Sequence, residues 1–176
     1  NVLTAATADT GSIYLGANCG SGVTTGFFNM IFGANNGVAT GASWGNVVIG
    51  KSAGQTVGGS FHASRNIIIG YSADCDAGIN LGIAIGGGAV CKTSNTAVFG
   101  GTISATTLFY FGLGESSATP TDVTLSATNG VGTDIAAANM IISGGRPTGS
   151  GIGGKVKFKT ATQGASGTTI RSLADR

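Results

Sequence analysis

The chain has 176 residues, only 9% of them charged, and a formal charge of +2 from nine Lys and Arg against seven Asp and Glu. Cations so few and so scattered exclude a nucleic-acid groove that neutralises several phosphates, and apolar runs of a few residues exclude a bilayer-spanning helix, which needs about 20. Thirty-three Gly without a Gly-X-Y period exclude collagen, and a hydrophobic content of 41% argues against wholesale disorder, which leaves an extended β architecture with many turns.

The chain opens on Asn1 with no basic-then-apolar leader, so it is expected to be an excised or processed fragment of something larger. The first element is the apolar triplet Ile13-Tyr14-Leu15, closed by Gly16. The same arrangement returns as MIF before Gly33, VVI before Gly50, III before Gly70, IAI before Gly86, AVF before Gly100 and FYF before Gly112. Successive anchors are 17, 17, 20, 16, 14 and 12 residues apart. Asn precedes the anchor by four at Asn29, Asn46 and Asn66, and Ala follows it by three at Ala53, Ala73 and Ala89. Small residues fill the stretches between triplets, as in "GASWG" and "GQTVGG". No capped helical stripe interrupts them. Strand, Gly turn, small-residue corner and next strand define a β-solenoid, with neighbouring strands stacked at about 4.8 Å.

Alternate side chains of a strand face opposite ways. Positions one and three before each Gly, such as Leu15 and Ile13 or Ile49 and Val47, are assigned to the coil interior. The middle residues Tyr14, Ile31, Val48, Ile68, Ala84, Val98 and Tyr110 are then expected on the outside as an apolar ladder. Burial of one such side chain is worth about 1.5–3 kcal/mol, so an exposed ladder is an incentive to associate. A threefold bundle closes it around an axis, and a dimer also buries it. The anchor Gly is read as a positive-φ or Cβ-free corner. A phosphate loop at "GGGA", residues 86–89, is set aside because no helix N-terminus or Gly-Lys-Ser/Thr follows.

The pattern N-x-x-I-G-x-S-A, present at 46–53 and 66–73 and degraded in the other rungs, resembles the coil repeat of trimeric autotransporter adhesin heads and the repeats of bacteriophage tail fibres. Residues 128–176, "TNGVGTDIAAANMIISGGRPTGSGIGGKVKFKTATQGASGTTIRSLADR", resemble a Gly-rich module of phage tail fibres often found upstream of a self-cleaving intramolecular chaperone. The resemblance implies homotrimerisation, rigidity and display at the virion surface. Repeat length drifts from 20 to 12 residues where adhesin heads keep a more uniform coil, so the cross-section is expected to taper toward Gly112. No chaperone follows Arg176, so any processing site is lost or lies beyond this sequence.

After the repeats, "ESSATPT" from Glu115 to Thr121 reads as a connector. "DVTLSA" and "KVKFKT" alternate Val123 with Leu125 and Val156 with Phe158 against polar neighbours, and read as one-sided strands. Lys155, Lys157 and Lys159 then form a solvated outer face that discourages edge pairing, or a cationic strip for anionic glycans. Arg146, in "GGRPTGSGIGG", is the cation first in line for receptor contact. Trp44, in "GASWGN", is a platform for sugar stacking or a plug between coils. His62 is the only histidine and has no partners for a triad, so it is read as a corner residue or receptor contact.

A glycan depolymerase needs two carboxylates about 5–9.5 Å apart. Only Asp74 and Asp76 are close in sequence, straddling Cys75, and they read as a polar corner. Cys19, Cys75 and Cys91 lack zinc spacing. Cys75 and Cys91 each follow an anchor Gly by five, so equal registers would stack them within reach of a disulfide. Free buried thiols are expected in a protein assembled in reducing cytoplasm.

The chain thus reads as all-β: a β-solenoid or β-roll of about seven rungs over residues 1–114, a connector with a first strand over 115–127, and a Gly-rich β trimerisation module over 128–176, in an intertwined or side-by-side homotrimer. The expected function is a structural and adhesive, non-enzymatic segment of a phage tail fibre in the virion, extracellular when at work, facing a host glycan or protein receptor. It is expected to need no cofactor, no nucleic acid and no membrane insertion. A bacterial trimeric surface adhesin and a glycan-depolymerising tailspike are the alternatives.

Overall fold

A computed structural model describes residues 8–20, 23–36, 41–55, 64–111, 118–119, 121–160 and 174–175. The chain divides into two compact units, Asn1–Tyr110 and Phe111–Arg176. His62, Gly112 and most of the expected connector lie outside the described residues. No helix occurs among those that are described, and none is long and apolar enough to cross a membrane.

The first unit carries, in chain order, β1 (Ala8–Thr10), β2 (Ile13–Leu15), β3 (Val23–Phe27), β4 (Met30–Phe32), β5 (Gly41–Trp44), β6 (Val47–Ile49), β7 (Ile67–Ile69), β8 (Asp74–Cys75), β9 (Ile83–Ile85), β10 (Val90–Cys91) and β11 (Ala97–Phe99). The six triplet strands form one sheet in the order β11-β9-β7-β6-β4-β2. Every pairing in it is parallel and unshifted, so Tyr14, Ile31, Val48, Ile68, Ala84 and Val98 stand in a single row. A second parallel sheet runs β1-β3-β5 and continues as isolated bridges from Trp44 to Ser64 and from Ser64 to Asn80. A third pairs β8 with β10. Each strand therefore bonds to its counterpart one repeat away, which is a β-solenoid. The seventh triplet, residues 109–111, joins no strand.

Glycine closes each triplet because no other residue fits. Gly16, Gly33, Gly50, Gly70 and Gly86 have φ between 130° and 141°, a region L-residues rarely adopt. A Cβ on Gly16, Gly33, Gly50 or Gly70 would also stand 1.7–2.5 Å from the carbonyl oxygen of the next anchor. Two turns could not then stack at strand spacing.

The face assignment made from the sequence is inverted. The middle residues point inward: Tyr14, Ile31, Val48, Ile68 and Ala84 are buried, with Ile68 at 0% exposure, and Val98 packs against the same core. Tyr110, outside the sheet, is exposed. Residues one and three before the Gly face outward, with Ile13 and Leu15 more than half exposed. The physical reason is width. Opposing the middle row is the row three after the anchor, Cys19, Asn36, Ala53, Ala73 and Ala89, all buried. These small residues bring the far wall close, leaving room for one row of side chains. Tyr14, the bulkiest of that row, fits because a Cβ on Gly20 would lie only 2.3 Å from its ring.

A polar ladder lines the same interior. Asn29 Oδ1 accepts from Asn46 N at 3.1 Å and Asn46 Nδ2 at 3.0 Å, Asn46 Oδ1 accepts from Asn66 N at 3.0 Å, and Asn66 Oδ1 accepts from Gly82 N at 2.7 Å. Nδ2 of Asn29 and of Asn66 each donates at 2.8 Å to a carbonyl across the coil, of Ser43 and Ile79. All three asparagines are buried, so the ladder supplies partners to backbone N–H groups that water cannot reach. Asn36 repeats the device one corner on, accepting from Ala53 N at 3.0 Å.

The second unit is built differently. Residues 121–158 form no strand, and the only pairing there among the described residues is antiparallel, between β12 (Lys159–Thr160) and β13 (Ala174–Asp175). Among the described residues, no strand forms around Val123 and Leu125, and of the expected KVKFKT strand only Lys159–Thr160 is paired; Val123, Leu125, Val156 and Phe158 are exposed.

Candidate interaction surfaces

The outward side of the triplet sheet carries two parallel columns. One runs Ile13, Met30, Val47, Ile67, Ile83 and Ala97, the other Leu15, Phe32, Ile49, Ile69, Ile85 and Phe99. No polar residue interrupts either. Ile13, Leu15, Met30, Ile49, Ile67 and Phe99 are exposed, and the sheet gives them no cover of their own. The outward apolar face of this sheet is therefore made by the neighbours of the residues assigned to it from the sequence. The middle row cannot be an interface because its own coil already encloses it.

The coil corner preceding this sheet holds a second group. Phe27 and Trp44 are register partners in β3 and β5, and the Arg65 guanidinium carbon lies 4.8 Å from the centre of the Trp44 ring. Arg65 N donates to Trp44 O at 3.0 Å, fixing the two together. Trp44 is therefore not a plug between coils: it is exposed, with a cation over one face. Sequence reading singled out Trp44 and missed Arg65, whose only signal was its position one repeat further along the same corner.

Arg146 is exposed in a loop closed by Gly154 N donating to Gly145 O at 2.9 Å. It lies in the second unit, whereas Trp44 lies in the first.

Cys75 and Cys91 are Cα partners of β8 and β10, as equal registers require, and both are buried free thiols. Burial first, and the facing Cys91 next, push the Cys75 thiol up to about 12. Cys91 Sγ donates to Ile83 O at 3.1 Å. Burial also raises Cys19, whose Sγ lies 3.3 Å from Gly33 O. Such thiols are poor nucleophiles. Asp74 is half-buried, with Oδ1 accepting from Cys75 N at 2.8 Å, while Asp76 is exposed. No group of three His, Cys, Asp or Glu able to hold a metal occurs among the described residues.

Comparison with family models, curated proteins and solved structures finds no match.

Proposed function

We propose that the chain is a structural and adhesive segment of a homotrimeric phage tail fibre, a rod that holds a host-binding surface away from the particle. One observation carries this reading: the coil has a filled interior of its own, yet displays two uninterrupted apolar columns along the outside of the triplet sheet. A lone coil would leave them wet. Apolar surface arranged so continuously marks a contact, and the regular row makes the complementary surface another copy of the same row. Three sheets turned toward a common axis cover every column. The second unit supports the same reading, because exposed apolar side chains on unpaired extended backbone acquire partners when chains run alongside one another.

The test is the mass of the full chain in solution. Light scattering is expected to give three times 17.1 kDa. A stable monomer at micromolar concentration overturns the proposal, and a stable dimer overturns the threefold arrangement.

A further inference from the structure

We propose that the corner formed by Phe27, Phe28, Trp44 and Arg65 binds an acidic glycan, its carboxylate on the Arg65 guanidinium and its sugar rings against the neighbouring aromatic side chains. The inference rests on the adhesive reading above and gives it a ligand class.

The residue five before each of the six anchors from Gly16 to Gly100 is left-handed: Gly11, Phe28, Gly45, Arg65, Leu81 and Asn95 have φ between 56° and 72°. Glycine and asparagine suit that region, whereas Phe, Arg and Leu are strained there. Burial does not compensate the strain, because Phe28 is 69% exposed and Leu81 and Arg65 are exposed as well. The turn imposes this conformation and Gly or Asn would adopt it freely, so Phe and Arg kept there at solvent-facing positions point to a role outside folding.

The side chains are also arranged. Gly11 and Gly45 clear the preceding turn, so that a Cβ on Gly11 would meet the Phe28 ring at 2.7 Å and one on Gly45 would meet Arg65 Cγ at 3.5 Å. Phe28 and Arg65 thus lie down onto the coil instead of waving in solvent. The guanidinium then sits over the Trp44 ring, covered from one side. A stacked guanidinium keeps its in-plane donors for a bidentate acid, and Arg65 makes no side-chain hydrogen bond or ion pair among the described residues. Exposed phenyl rings at Phe27 and Phe28 offer the apolar surface that a sugar ring covers. A second copy of the chain is the poorer occupant, since the columns that serve self-association contain no carboxylate to meet Arg65.

The full-length assembled protein is titrated with oligomers of polygalacturonate, hyaluronate and polysialate, and with fully methyl-esterified polygalacturonate. Trp44 is the only tryptophan in the chain, so its emission reports occupancy directly. A saturable change is expected with at least one acidic oligomer and none with the neutral ester. Arg65→Gln is expected to weaken binding tenfold or more, Arg65→Lys to restore part of it, and Lys51→Gln, an exposed residue away from the corner, to change nothing. Phe28→Gly is expected to weaken binding without lowering the melting temperature. Silence toward all three acids, equal binding of the ester, undiminished binding by Arg65→Gln, or a lower melting temperature in Phe28→Gly overturns the proposal. Light scattering on the same samples separates the two readings: a trimer that ignores every glycan sinks this inference alone, and a monomer sinks the fibre.

Discussion

Two regions of the chain, similar in their small and apolar residues, solve the burial problem in opposite ways. Between Ile67 and Phe99, each turn finds its neighbour one repeat away, and the side chains of the middle row are enclosed by their own polypeptide. Between Thr121 and Thr160, Val131, Ile141 and Ile152 are 85–93% exposed. Among the described residues from Thr121 to Phe158, the backbone hydrogen bonds from Ala138 N to Thr128 O, Gly151 N to Thr148 O and Gly154 N to Gly145 O close local loops. The difference is repetition. A strand that recurs every dozen or so residues always has a template at hand, and closing so short a loop costs little entropy. A segment without a repeat has no such template one turn away, and under the proposed assembly another chain supplies it.

The largest expected effect separates the two sides of the triplet sheet. Ile68→Asp places a carboxylate in a row with 0% exposure and no cation beside it, which should destabilise the first unit by more than about 4 kcal/mol. Circular dichroism should show its cooperative transition lost. Ile67→Asp, one residue away and pointing outward, should leave that transition in place while light scattering shows the assembly dissociated. If both variants fail to fold, the outward column is structural and the comparison between the faces breaks.

Next in size is Asn46→Ala. It deprives Asn66 N of its acceptor and Asn29 Oδ1 of a donor. One or two buried groups left unmade should lower unfolding free energy by on the order of 3 kcal/mol, measured by denaturant titration. A comparable truncation in the second unit, Asn139→Ala, should change it by less than about 0.5 kcal/mol, because Asn139 is exposed.

These two contrasts also mark how far the sequence could be read. The triplets, their register, the recurrence of Asn29, Asn46 and Asn66 at one position, and the stacking of Cys75 on Cys91 follow from counting residues from each Gly. The inside of the coil did not, since all three residues of IYL, VVI or III are apolar and period two then names no face. The signal that resolves it was present nonetheless: an Asn four before the anchor shares a face with the middle residue, and an asparagine that recurs in register belongs where backbone groups need partners. The left-handed position at Phe28, Arg65 and Leu81 was not legible, because it belongs to the turn they share with Gly11, Gly45 and Asn95 and leaves no mark in those residues' own preferences.

A smaller effect should appear on dilution of the assembled protein. Amide exchange between Ile67 and Phe99 should barely change, since its hydrogen bonds lie within one chain. If the proposed assembly supplies their partners, amides from Thr121 to Phe158 should lose protection as chains part. Protection in the second stretch that does not depend on concentration would mean that it folds alone, and the contrast between the regions would collapse.

The last effect is a slope against pH. The folded chain holds the Cys75 thiol at about 12 against an ordinary 9.0. In the unfolded chain this proton leaves near pH 9, whereas the folded coil keeps it, so the folded state binds more protons and stability falls as pH rises from about 9 toward about 12. Below that window the contribution is fully present. One proton corresponds to about 1.4 kcal/mol per pH unit at the steepest part. Cys75→Ala should remove that increment of slope while leaving those of the other titrating groups, so the comparison is between two slopes in denaturant midpoint, and lysines and tyrosines common to both proteins cancel. The same variant tests the coil register: if it falls as steeply as the parent between about pH 9 and 11, Cys75 is not enclosed against Cys91, and the pairing of β8 with β10 is wrong.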